Sequence, residues 1–217
     1  MNKHLLAFYA LVAVGIVGLT FFVQSYPISH FDLFVTQEIQ EIKMGHFTSL
    51  MEFISIFGDS IGISLSVIFA ALVFYLTYHR REACFTFAVI LPDLFNLLLK
   101  LLIHRPRPTL ENAKIFLKFA QSSFPSGHVV HYVVFFGFLL AVMIVKKQIP
   151  LFWRILIGSF SGFLILTVSI SRIYLGAHWA TDVMGGYLFG IIYLGIILTF
   201  YLKDHIKHHG RDPTMKV

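Results

Sequence analysis

Cysteine is nearly missing from this chain: Cys84 stands alone. A single thiol excludes an intramolecular disulfide framework and any cysteine-based zinc cluster, and Cys84 is expected to serve as a small buried apolar residue. Charge is scarce as well. Asp, Glu, Lys and Arg make up 13% of the 217 residues, about half of what soluble domains carry, so an ordinary water-exposed surface is excluded. There is no low-complexity linker and no internal repeat, which argues for one domain over residues 1–217.

What fills the sequence is apolar side chain, 57% by count, with a mean hydropathy of +0.79. Apolar stretches run over Leu5–Val23, Ile61–Tyr78, Ala83–Leu102, Val129–Val145, Ile155–Ile170 and Val183–Leu202. Each is close to the roughly 20 residues that cross a bilayer core. An all-α bundle of six transmembrane helices is therefore expected. The first stretch exceeds the h-region of a signal peptide and lacks a small-x-small cleavage pattern behind it, so it is expected to be retained.

Placing the N-terminus inside puts Lys3, Arg80, Arg81, Lys146, Lys147, Arg154, Lys203, Lys207, Arg211 and Lys216 in cytoplasmic segments. Lys43, Lys100, Arg105, Arg107, Lys114, Lys118 and Arg172 then fall outside. Three of these, Lys100, Arg107 and Arg172, are explained below by chemistry, and the remainder obeys the positive-inside rule. Both termini are thus expected in the cytoplasm. The cations are spread among loops instead of forming one basic face, so nucleic acid is not an expected partner; no oligomeric state follows from the sequence.

Two outer segments do not span. Phe31, Phe34, Val35, Ile39 and Ile42 fall near helical spacing with polar residues between them, as in a short interfacial helix or one that packs over helix ends. In the loop from His104 to Phe124, Lys114 and Lys118 flank Ile115, Phe116 and Leu117 and could rest on anionic lipid. Pro92, with Asp93 beside it and Asn96 one turn on, predicts a kinked third span lined by polar groups. Gly185, Gly186 and Gly190 predict close helix packing.

Three clusters, far apart in sequence, lie at helix ends that alternation brings to one membrane face. They are Lys100 with Arg107-Pro108, then Pro125-Ser126-Gly127-His128, then Ser171-Arg172 with His178 and Asp182. So many cations at one bilayer surface need a common anion, since unpaired charge there costs several kcal/mol. Phosphate suits them. Arg107 and Arg172 offer planar forks, Lys100 a point charge, Ser126 a hydroxyl donor, and Gly127 lets the anion approach a helix start whose free N–H groups favour it. Asp182, four residues after His178, is placed on the same helical face to hold one imidazole nitrogen. The other nitrogen is then free to attack phosphorus, with His128 protonating the leaving oxygen. Solvated or interfacial roles are expected for His4, His30, His46 and His79 and for the tail residues His205, His208 and His209, and a supporting role near the pocket for His131.

These clusters resemble the three signatures of the type 2 phosphatidic acid phosphatase superfamily, Lys-x6-Arg-Pro, Pro-Ser-Gly-His and Ser-Arg-x5-His-x3-Asp, without departure at any fixed position. The resemblance implies hydrolysis of a lipid phosphate through a phosphohistidine on His178, with no metal and no other cofactor. It resembles small bacterial members of that family. They act on phosphatidylglycerol phosphate, phosphatidic acid or undecaprenyl pyrophosphate at the outer face of the plasma membrane. A protein that binds or transports lipid phosphate without cleaving it would need the cations but not the His178 and Asp182 pair.

Overall fold

The structure is a computed structural model and describes residues 3–42, 45–116 and 122–209, the last six of them as backbone only. All regular structure among the described residues is helical. Helix α1 covers Lys3–Ser25, α2 His30–Gln40, α3 Phe47–Ser55, α4 Ser60–Leu76, α5 Arg80–Ala88, α6 Ile90–Ile103, α7 Gly127–Val145, α8 Leu151–Tyr174 and α9 Ala180–His209. Lys118, Leu117 and the tail histidines' side chains lie outside the described residues.

Five helical segments are long and apolar enough to cross a membrane, and a sixth span results if α3 and α4 are taken together. The expected second span is therefore not one straight helix. A 3-10 turn at Ile56–Gly58 joins α3 to α4, and the two meet at a bend of 64°. Gly62 has no room for a side chain there, because a Cβ would run into the Ile56 carbonyl. The third span also breaks, at Val89 between α5 and α6. Pro92 has no N–H for the Ala88 carbonyl, and its ring crowds that same group.

Helix α7 is the axis of the bundle. It packs against α6, α8 and α9, and Tyr132, Phe135, Phe136 and Phe138 form the centre of the core. The close approach of α9 depends on its glycines: a Cβ on Gly186 would lie 2.8 Å from Val129 Cβ, and one on Gly190 2.7 Å from Val133 Cβ. The outer surfaces of α1, α4 and α8 carry exposed Leu, Ile, Val and Phe, the pattern of helices solvated by lipid. Cys84 is exposed on this surface instead of buried as its residue type suggested. At the opposite end from the site, Glu82 accepts from Lys146 Nζ and Tyr201 Oη, both at 2.8 Å. That buried pair ties α5, α9 and the α7–α8 turn together.

Helix α2 is amphipathic in the opposite sense to a soluble surface helix. Asp32, Thr36 and Gln40, four residues apart, are its buried face, whereas Phe31 and Phe34 point outward. Packing lays α2 over α8 and α9. Gln40 anchors the far end: its Nε2 donates to the carbonyls of Lys114 and Tyr174 at 2.8 and 2.9 Å, and its Oε1 accepts from Lys114 N at 2.8 Å. Lys114 Nζ itself donates to Gln40 O at 3.3 Å, so this lysine is spent on the loop.

Candidate active site

The three sequence clusters meet at one end of the bundle. Helix α6 carries Lys100 in its last turn and stops at His104, which adopts a left-handed conformation with φ 46°. Arg105-Pro106-Arg107-Pro108 then continues without regular structure, because two prolines cannot feed a helix. Trp179 Nε1 donates to Pro106 O at 3.0 Å and fixes this turn. Arg107 is thereby aimed inward, with Nη1 donating to Ala177 O at 2.6 Å and standing 3.4 Å from His178 Nε2.

Pro125-Ser126 leads into α7, whose first turn presents Gly127 and His128. Ser126 N donates to Asp182 O at 3.1 Å, which joins the start of α7 to the start of α9. Gly127 faces α6 so closely that a Cβ would be 3.0 Å from Asn96 Nδ2. The Ser126 hydroxyl is buried and makes no hydrogen bond among the described residues.

Between α8 and α9 the chain reverses through Gly176, with φ 69°, a conformation that glycine alone adopts cheaply. A Cβ there would also strike the Lys114 carbonyl. The turn is closed by Gly176 N to Ile173 O at 3.0 Å and Ala177 N to Arg172 O at 3.1 Å. His178 consequently sits ahead of α9, not on its face as the four-residue spacing to Asp182 suggested. Asp182 reaches back from the first turn of α9 to accept from Trp179 N at 2.8 Å, as the third residue of a capping box does. His178 Nδ1 is 3.5 Å from Asp182 Oδ2, near it but outside hydrogen-bond geometry.

Asp182 belongs to a buried network that the sequence did not disclose. Arg105 Nη1 donates to Asp182 Oδ1 at 2.5 Å and Arg105 Nη2 to Asp32 Oδ2 at 2.7 Å. Thr181 N donates to Asp32 Oδ1 at 2.9 Å, and Ser123 Oγ donates to Asp182 Oδ2. In the sequence Arg105 reads only as an outer cation, and Asp32 is one of the polar residues between the apolar positions of the first outer segment. Neither has a local pattern that marks it, since the partners lie 73 and 77 residues apart along the chain.

A cavity of about 500 Å³ opens where these elements converge. Its wall includes Lys100, Arg107, Gly127, His128, Arg172 and His178. Ser126 and Asp182 stand behind that wall. Asp59, Ser60, Asp93 and Asn96 also line it, and none of these four is among the expected site residues. Asp59 begins α4 yet does not cap it; its Oδ1 lies 3.0 Å from His128 Nε2. Asp93 pairs with the fully buried His131, Oδ2 to Nδ1 at 3.0 Å. Arg172 Nη1 donates to Ser55 Oγ and Ser171 Oγ to Met51 O, which locks the end of α8 onto α3.

Donor and acceptor chemistry fixes the tautomers. A guanidinium only donates, so His178 Nε2 facing Arg107 is the nitrogen with the lone pair. A carboxylate only accepts, so His128 Nε2 facing Asp59 carries a proton. Burial, and then the cations Arg107, Lys100 and Arg172, hold the pKa of His178 well below the ordinary imidazole value. Burial likewise lowers that of Arg107 to about 10, which leaves it charged at neutral pH. The site therefore sets a neutral imidazole among cations, suited to an anion that a nucleophile can reach.

Residues 81–206, more than half of the chain and all three clusters, match the family model described as the PAP2 superfamily. The chain belongs to the PAP2 superfamily. Among curated proteins, this PAP2 chain is 31% identical over 112 residues to "Phosphatidylglycerophosphatase B" of Bacillus subtilis (strain 168), covering 51% of this chain and 50% of that protein. It is 39% identical over 74 residues to "Putative undecaprenyl-diphosphatase YbjG" of Escherichia coli (strain K12), covering 34% of this chain and 32% of that protein. The chain thus spans half or less of the curated relatives it matches. Among solved structures, it superposes on a transmembrane PAP2 type phosphatidylglycerolphosphate phosphatase from Bacillus subtilis with a TM-score of 0.79 at 20% identity, over 90% of this chain and 96% of that one. That likeness establishes the membrane PAP2 fold.

Proposed function

We propose that this PAP2 protein is a lipid phosphate phosphatase in which His178 Nε2 attacks phosphorus. The observation that carries the proposal is the 3.4 Å approach of Arg107 Nη1 to His178 Nε2 inside a cavity also lined by Lys100, Arg172 and His128. A phosphoryl group gripped by these cations would lie against the imidazole lone pair. Positioning and charge neutralisation are most of what phosphoryl transfer asks of a protein.

In the proposed first step the Nε2 lone pair forms a bond to phosphorus while the bond from phosphorus to the lipid oxygen breaks. His128 gives that oxygen its proton. In the second step a water oxygen attacks the phosphorus of phosphohistidine, His128 takes the water's proton, the P–N bond breaks and inorganic phosphate leaves. Asp182 supports the positive charge that grows on the His178 ring, while Gly127 and the first turn of α7 lend backbone N–H groups to the phosphate. Ser126 adds its hydroxyl as a further donor to the phosphate.

The names of the relatives support phosphatidylglycerol phosphate and undecaprenyl pyrophosphate as substrates, and the resemblance of the three motifs adds phosphatidic acid. Lysine and arginine placement supports a site on the outer face of a bacterial plasma membrane, with both termini inside. Purified protein in detergent, given these lipids in the presence of EDTA, is expected to release inorganic phosphate. Headgroup movement across reconstituted vesicles without phosphate release would instead favour a transporter or binding scaffold.

A further inference from the structure

The proton that His128 has to give is already held. Its Nε2 lies 3.0 Å from Asp59 Oδ1, and Asp59 can only accept. The contact is built into the bend between α3 and α4. Gly58 lies flat against the His128 ring, where a Cβ would collide with the imidazole carbons. Asp59 does not cap α4, and its half-exposed carboxylate faces the cavity.

Charge is unevenly distributed around that cavity. Arg107 interacts with Lys100 and Asp182 on the side of His178, and Lys100 acts on both histidines. Asp59 adjoins His128 and Arg172. The second carboxylate, Asp93, lies two turns of α6 from Lys100, about 10 Å along the axis. A leaving oxygen that takes the Nε2 proton must come within hydrogen-bond reach of the nitrogen that Asp59 already contacts, so the leaving group and the Asp59 carboxylate are neighbours.

Two leaving groups differ sharply in that position. The alcohol released from a phosphomonoester is neutral and can donate a hydrogen bond to Asp59 once protonated. The lipid monophosphate released from a diphosphate carries between one and two negative charges beside the Asp59 carboxylate, and Arg172 and Lys100, the cations that act on His128, are the ones the transferred phosphoryl group also needs. Building on the phosphatase reading above, we propose that Asp59 is a specificity-determining residue that holds the His128 proton for a neutral leaving alcohol and selects lipid phosphomonoesters over lipid diphosphates.

The test uses the full chain in mixed micelles with two substrates of identical acyl chains, phosphatidic acid and diacylglycerol diphosphate, and measures kcat/KM for release of inorganic phosphate. Wild-type protein is expected to favour the monoester at least tenfold. Asp59→Asn removes the charge and keeps the shape; it should shrink the preference at least tenfold by losing monoester activity while diphosphate activity holds or rises. Asp59→Glu should restore part of the preference. A wild-type preference for the diphosphate would overturn the proposal without any variant. Equal losses on both substrates in Asp59→Asn would also overturn it and leave Asp59 a positioning residue for His128. Release from neither substrate by wild type would overturn the phosphatase reading itself, and the proposal with it.

Discussion

Asp182 and Arg105, 2.5 Å apart and both shut off from solvent, join the turn that carries His178 to the loop that carries Arg107. Asp32 of α2 lies on the other side of the same guanidinium, at 2.7 Å. One cation thus balances two buried carboxylates. Breaking a buried pair from one side costs about 3–5 kcal/mol, because the remaining charge stays desolvated. Arg105→Met is therefore expected to destabilise the protein by at least that much, measured by thermal unfolding in detergent. Adding Asp32→Asn should recover part of the loss, as expected for groups in one network.

His178→Ala and His128→Ala should differ in kind. The first removes the proposed nucleophile and should lower kcat by at least about a thousandfold. The second removes the proton donor, at a cost of roughly 10²–10⁴. Rapid acid-free quenching with radiolabelled lipid phosphate should trap a labelled protein with His128→Ala and none with His178→Ala. Label on the His178→Ala chain would sink the assignment of the nucleophile.

The pH dependence follows from the sign of the His178 shift. Attack needs the neutral ring, and burial with Arg107, Lys100 and Arg172 keeps its pKa well below the ordinary value, about 6.5. Protonation of His178 should thus not limit kcat/KM as pH falls from 7 to 6. Arg107→Gln removes the nearest cation and raises that pKa, so the acid limb should move to higher pH along with an overall drop in rate. The same shift makes folding stability flat above about pH 6.5 and lower below it, since the unfolded chain there binds a proton that the buried ring does not.

Gly176→Ala is expected to be more damaging than an ordinary loop substitution. The left-handed backbone at φ 69° and the Lys114 carbonyl in the path of a Cβ together imply a cost on the order of 1–3 kcal/mol. The turn would relax by moving His178 away from Arg107, so kcat/KM should fall although residue 176 touches no substrate. Unchanged activity with unchanged stability would contradict this placement of the turn.

Hydropathy was enough to specify a multi-pass helical membrane protein, because crossing a bilayer needs apolar runs of a set length whatever packs beside them. The order of the three clusters was likewise enough to bring Lys100, Arg107, His128, Arg172 and His178 to one face, since alternating spans leave no other arrangement. Helix interruptions were only half legible. Pro92 announced its break, but the bend at Asp59 depends on Gly62 and the Ile56 carbonyl lying against each other, which no local pattern encodes. What only the tertiary structure decided is how these polar side chains are partnered. Arg105 holds Asp182, Asp59 holds His128, and Asp93 holds His131, each across many residues of chain. A contact of this kind depends on distance in space, and the sequence positions of its members carry no trace of it.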